Sequence, residues 1–192
     1  MERVRPFRQR FFPPDRIFPT SAFLFAVILT HSGIFAGTGK RHFIDEKRVT
    51  FELPYDWEES ELNADDVLAG YQSKDQTTSI FFKDMGVTTN ATLSELMDAL
   101  ITGFEETFEL KGEDNITTGV VKGPEGKTWA AISAVIEGNY DRGDKVFGVQ
   151  FHVVIFDTGS RLYQVQASTV TPVEGYRARQ IGEILKSIYA RP

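Results

Sequence analysis

Four polar side chains, Gln150, His152, Gln164 and Gln166, have the types and spacing that could do chemistry. They alternate with apolar residues in two β-rich runs, VFGVQFHVVIF from Val146 and RLYQVQASTV from Arg161, and such period-2 runs around a short Gly-containing segment predict a hairpin. A three-residue loop, Asp157-Thr158-Gly159, with Gly159 supplying the left-handed conformation, pairs Phe156 with Ser160 and sets His152 opposite Gln164. In that register Phe147, Val149, Phe151, Val153 and Ile155 share one face with Tyr163, Val165 and Ala167, and the four polar residues line the other. A two-residue loop would oppose the apolar row with Leu162, Gln164 and Gln166, so burial favours the longer loop. The polar row is the candidate ligand or partner site, because a lone imidazole at a cleft can bind a metal or move protons near neutral pH. Its competitor is a solvated or hydrogen-bonded row, since a ligand site needs convergent partners. His31 and His42 lie too near the start of the chain to converge on it.

The second candidate is acidic. Asp56, Glu58, Glu59, Glu61, Asp65 and Asp66 crowd one short stretch, chemistry that hard cations favour, but no loop of alternating ligands with a central glycine accompanies them and a solvated loop is the expectation. Arg142-Gly143-Asp144 is an adhesion-like tripeptide with almost no information in it. Gly37-Thr38-Gly39-Lys40 lacks both the earlier glycine and the following Ser or Thr of a phosphate loop. Asn90-Ala91-Thr92 and Asn115-Ile116-Thr117 are glycan acceptors only in a eukaryotic host. There is no Cys and no G-x-S-x-G elbow, so no nucleophile stands in an activating context; no residue is assigned a catalytic or metal-binding role and no cofactor is implied.

The 192 residues divide at about residue 37. The first segment holds Arg3, Arg5, Arg8, Arg10 and Arg16 against Glu2 and Asp15, then an apolar run from Ala22 to Leu29 and a small residue, Ala36, at a suitable cut. This is the pattern of an export signal over 1–37. An uncleaved N-terminal anchor is the alternative, but Pro19 and Thr30-His31-Ser32-Gly33 shorten the apolar stretch below a span. Residues 38–192 then form a single domain with 16 basic and 25 acidic side chains, net charge −9. An acidic domain without Lys/Arg clusters is a poor partner for nucleic acid or an anionic membrane, and no membrane span is expected after cleavage. Without cysteine, and so without disulfides, an exported domain must stand on its core. The sequence leaves the oligomeric state open.

The elements follow in order. A strand from Arg48 carries Val49, Phe51 and Leu53 on one face and ends at Pro54; Trp57 folds back over the sheet. VLAGYQS and TTSIFFKDM make a hairpin around Lys74-Asp75-Gln76. Thr92 and Glu95 have capping-box spacing and open a helix whose Leu93, Leu96, Met97, Leu100, Ile101, Phe104 and Phe108 form one stripe, with Glu95, Asp98, Glu105, Glu106 and Glu109 wet. NITTGVV and TWAAISAVIEG pair next. The second of these is apolar on both faces, and a strand like that is covered on both sides. After the hairpin of the polar row, Pro172 leads into a helix with Ala178, Ile181, Ile184, Leu185 and Ile188 as its stripe. This order predicts an α+β fold, an antiparallel β-sheet with helices packed on both faces.

FELPYDW, the long final hairpin and the closing ILKSI resemble the PsbP-like family, whose α/β/α sandwich is shared by photosystem extrinsic subunits, a nuclear Ran-release factor and exported bacterial proteins. The resemblance spans roughly residues 44–190. It implies the fold and an exported habit, and it carries over no metal or partner residue. The function expected is a non-enzymatic binding or accessory module with a protein or cell-envelope partner; a small-ligand or divalent-cation binder, or a divergent hydrolase, are the alternatives.

Overall fold

The computed structural model describes residues 39–60, 66–111, 115–141 and 145–192. The expected export signal, His31, Glu61, Asp65 and the Arg142-Gly143-Asp144 tripeptide lie outside them.

The strands are β1 (Gly39–Ile44), β2 (Val49–Pro54), β3 (Trp57–Glu59), β4 (Val67–Ser73), β5 (Thr78–Val87), β6 (Glu109–Leu110), β7 (Thr117–Lys122), β8 (Thr128–Asp141), β9 (Val146–Asp157), β10 (Arg161–Val170) and β11 (Tyr189–Ala190). The helices are α1 (Leu93–Glu105) and α2 (Gly175–Ser187). Among the described residues the strands join one sheet in the order β1-β2-β11-β7-β8-β9-β10-β5-β4-β3, with β6 beside β8. All pairings are antiparallel except β11 with β7.

The sheet is curled into a half-barrel. Phe51 of β2 stacks on Phe82 of β5 with ring centroids 4.0 Å apart, although five strands separate β2 from β5 in ladder order. Only a sheet bent back on itself brings those rings together, and the right-handed twist of strands supplies the bend. His42 of β1 and Tyr71 of β4 meet in the same way at 5.0 Å. The concave core gathers Val49, Phe51, Leu53, Ile80, Phe82, Val165 and Ala167 with Ile181 and Ile184 of α2 and Ile188 just after it.

A second core forms where Met97 and Phe104 of α1 meet Ile132, Ala134 and Ile136 of β8 and Phe151, Val153 and Ile155 of β9. Successive parts of β8 serve two cores: Trp129 and Ala131 join the concave one, whereas Ile132, Ala134 and Ile136 join that of α1. The expectation that TWAAISAVIEG is covered on both faces holds only in part, because Ala130 and Glu137 are exposed and Val135 is half-buried. The capping box is present, with Glu95 N–H donating to Thr92 Oγ1 at 3.2 Å and Thr92 N–H to Glu95 Oε2 at 2.7 Å. The short strands β1, β3, β6 and β11 have no counterpart in the element order read from sequence.

Candidate functional site

The predicted hairpin forms, but in another register. Phe156 pairs with Tyr163 and Asp157 with Leu162, so the loop is Thr158–Arg161 and not Asp157–Gly159. The loop closes itself: Thr158 N–H donates to Arg161 O at 3.0 Å, Arg161 N–H to Thr158 Oγ1 at 3.2 Å and Gly159 N–H to Asp157 Oδ1 at 2.7 Å, with Gly159 at φ +79°. Pairing Phe156 with Tyr163 instead of Ser160 is an odd shift, and an odd shift turns every side chain of one strand to the other face. His152 therefore stands beside Ala167, not opposite Gln164, and Gln164 stands beside Ile155.

The polar row is thereby divided into two pairs on opposite faces. On the face of α1, Gln164 Nε2 donates to Gln166 Oε1 at 3.1 Å. On the concave face, Gln150 Nε2 donates to Glu137 Oε1 at 2.6 Å, and His152 Nε2 lies 2.9 Å from Gln150 Oε1. An amide oxygen only accepts, so this contact places the imidazole proton on Nε2. All four residues are buried, at 1%, 5%, 2% and 2% exposure for Gln150, His152, Gln164 and Gln166. The register reasoning assumed that a polar face is a wet face. Here the polar side chains satisfy one another inside, as buried polar groups must. Burial pushes the His152 imidazole down to about 4, so it is neutral at pH 7.

Three of the acidic side chains, Asp56, Glu58 and Asp66, are likewise paired with cations. Asp56 Oδ2 accepts from Arg177 Nη1 at 2.9 Å, Asp66 pairs with Lys83 at 2.5 Å and Glu58 with Lys74 at 3.8 Å. Among the described residues no group of three or more His, Asp or Glu side chains could hold a metal ion.

Arg177 is the feature that sequence reasoning passed over. It is 4% exposed at the start of α2 and holds Asp56 after β2, Asp75 between β4 and β5 (2.6 Å from Nη2) and Gln180. The rings of Trp57 and Tyr176 lie 5.8 and 4.9 Å from its guanidinium carbon. Asp75 is further fixed by Ser73 Oγ at 2.5 Å and Thr77 N–H at 3.1 Å. Although burial opposes ionisation, these hydrogen bonds, Ser73 first and then Arg177, hold its carboxyl well below the usual carboxylate range. The signal was available: position 177 precedes Ile181 and Ile184 by four and seven, so an Arg sits on the apolar stripe of α2. At the other end of the half-barrel, Tyr163 Oη donates to Asp45 Oδ2 at 2.5 Å and steadies a β1–β2 turn in which Asp45, Glu46 and Lys47 all have positive φ.

The curled sheet, with α2 seated in its concavity and α1 against β8 and β9, is the fold of the PsbP-like proteins. Structures similar to this chain include cyanobacterial PsbP (CyanoP) from Synechocystis, 12% identical, covering 84% of this chain and 98% of that one at TM-score 0.51. The Saccharomyces cerevisiae Ran-binding protein Mog1p is 10% identical over 79% of this chain and 95% of its own, TM-score 0.51. LpqN of Mycobacterium tuberculosis, involved in cell envelope biogenesis, is 11% identical over 82% and 88%, also at 0.51. At these identities the likeness is one of fold. No protein-family model and no curated protein matches the chain.

Proposed function

We propose that the protein is an exported, non-enzymatic accessory module that binds another protein in the cell envelope. One observation carries this reading: the polar side chains inside the fold are bonded to one another, Glu137 to Gln150 to His152 and Gln164 to Gln166, which leaves recognition to the surface. Support comes from the neighbours of the same fold, one named as Ran-binding and one as involved in cell envelope biogenesis. The basic and apolar composition of residues 1–37 supports export, and residues 38–192 then act as one domain. We read α1 and α2 as covering opposite faces of the sheet, because alternate residues of β9, Val153 and Ile155 against Val154 and Phe156, enter two different cores.

The test has two arms. An alkaline phosphatase fused after Pro192 should be active in the host, because that enzyme folds only outside the cytoplasm. Tagged protein should cross-link in envelope extracts to one partner that untagged protein competes away. An inactive fusion sinks export; the absence of any saturable partner, or turnover on a substrate panel abolished by one substitution, sinks the accessory reading.

A further inference from the structure

Among the described residues the open edges of the sheet are not alike. The outermost strands carry charge, Lys40 and Arg41 on β1 and Glu58 and Glu59 on β3, and charge on an edge is how native sheets discourage stray pairing. The third edge lies inside the sheet order. Strand β7 is paired along its whole length with β8, from Thr117↔Ser133 to Lys122↔Thr128, but on its other side β11 meets it only at Lys122. From Thr117 to Val121 no described strand pairs with that side, and the segment, Thr-Thr-Gly-Val-Val, has no charge, no proline and no register shift.

The ladder shows which groups face outward. Gly123 N–H donates to Lys127 O at 2.9 Å, which makes 123/127 a bonded pair. Bonded and non-bonded pairs alternate in an antiparallel ladder, so residues 117, 119 and 121 bond β8 while Thr118, Val120 and Lys122 turn their N–H and C=O the other way. Lys122 is where β11 attaches, as that alternation requires. Among the described residues Thr118 and Val120 have no backbone partner on that side, both are exposed, and Val120 is 64% so. Between them Gly119 has nothing within 4 Å of where a Cβ would stand, and a glycine inside a strand often marks the close approach of another backbone. On the facing wall the Glu52 N–H of β2 is already taken, donating to Ser187 Oγ at 2.8 Å.

We infer that the open side of β7 at Thr118 and Val120 receives an extended, uncharged segment of a protein partner by strand addition. Main-chain bonds to Thr118 and Val120 supply affinity and an apolar residue beside Val120 supplies preference. This rests on the accessory-module reading and names where that module binds.

The probe is a capped six-residue peptide of alternating Thr and Val added to the 192-residue protein, with amide hydrogen exchange read residue by residue. Exchange at Thr118 and Val120 should slow by about tenfold with peptide near its saturating concentration. Val120→Pro removes an outward donor without touching the β8 ladder, and should abolish the slowing with thermal midpoint retained. If that variant fails to fold, Val120→Lys places an edge charge and should abolish it equally. Unchanged exchange at Thr118 and Val120, slowing at β1 or β3 instead, or full binding by Val120→Lys overturns the inference. A saturable envelope partner still captured by Val120→Lys would leave the module reading standing while removing this edge from it.

Discussion

Acid should destabilise this protein through one buried ring. His152 is neutral in the fold because burial holds its imidazole at about 4, against 6.5 in an unfolded chain. Between those two values the unfolded state carries a proton that the native state refuses, so stability falls as pH falls from 6.5 to 4 and the loss is complete below 4. At 1.36 kcal/mol per unit, the difference comes to about 3 kcal/mol, a large part of what a domain of this size has. The perturbation is His152→Gln, which is uncharged at every pH and keeps a donor for Gln150. Urea unfolding followed by the fluorescence of Trp57 and Trp129 at pH 7, 6, 5 and 4 gives each stability. Wild type should lose about 3 kcal/mol more than the variant across that range. His42, also lowered by burial first and then by Lys40, contributes in the same direction and cancels in the difference. Asp75, held below the usual carboxylate range, acts only at lower pH. Parallel profiles for wild type and variant would mean that His152 accepts its proton inside the fold, and the account of its surroundings would be wrong.

Further outcomes follow from the packing. Arg177→Met should cost about 3 kcal/mol in denaturant unfolding, because Asp56 and Asp75 are left facing each other without a cation; Arg177→Met combined with Asp56→Asn and Asp75→Asn should recover part of the loss, and strict additivity would refute the clamp. Thr92→Ala should cost about 1 kcal/mol and speed exchange of the first-turn amides of α1, with no such change if the capping box is idle. Phe51→Ala should cost about 3–5 kcal/mol and release β1 and β2 from β4 and β5; a loss under about 1 kcal/mol would mean that the sheet ends do not depend on that stack.

The elements that were legible in the sequence are those with a strong local signature. Thr92 and Glu95 announced the cap, Pro54 ended β2 where expected, and Trp57 entered the core at 7% exposure. The run Trp129–Glu137 marked a strand but overstated its cover: only Trp129 and Ala131 join the concave core, Ile132, Ala134 and Ile136 join the other, and Ala130 and Glu137 are exposed. Register was not legible. Its deduction needs one wet face, and β9 and β10 have none for most of their length, so Gln150, His152, Gln164 and Gln166 looked like a surface when they were interior. Short strands such as β3 and β11 are held by their neighbours rather than by their own propensity, and three or two residues carry too little pattern to be seen. The clamp at Arg177 depends on turns some hundred residues away, and periodicity within α2 could mark the position but not its partners.

Strand β11 is only Tyr189–Ala190, yet among the described residues it alone joins β2 to β7, with Arg191 N–H adding a bond to Arg48 O at 2.8 Å. The β1–β2 hairpin therefore cannot complete its pairing until Tyr189 and Ala190 have been made. At ordinary translation speeds the ribosome takes roughly ten to thirty seconds to go from Pro54 to Ala190, and for that time Val49, Phe51 and Leu53 lack their final cover.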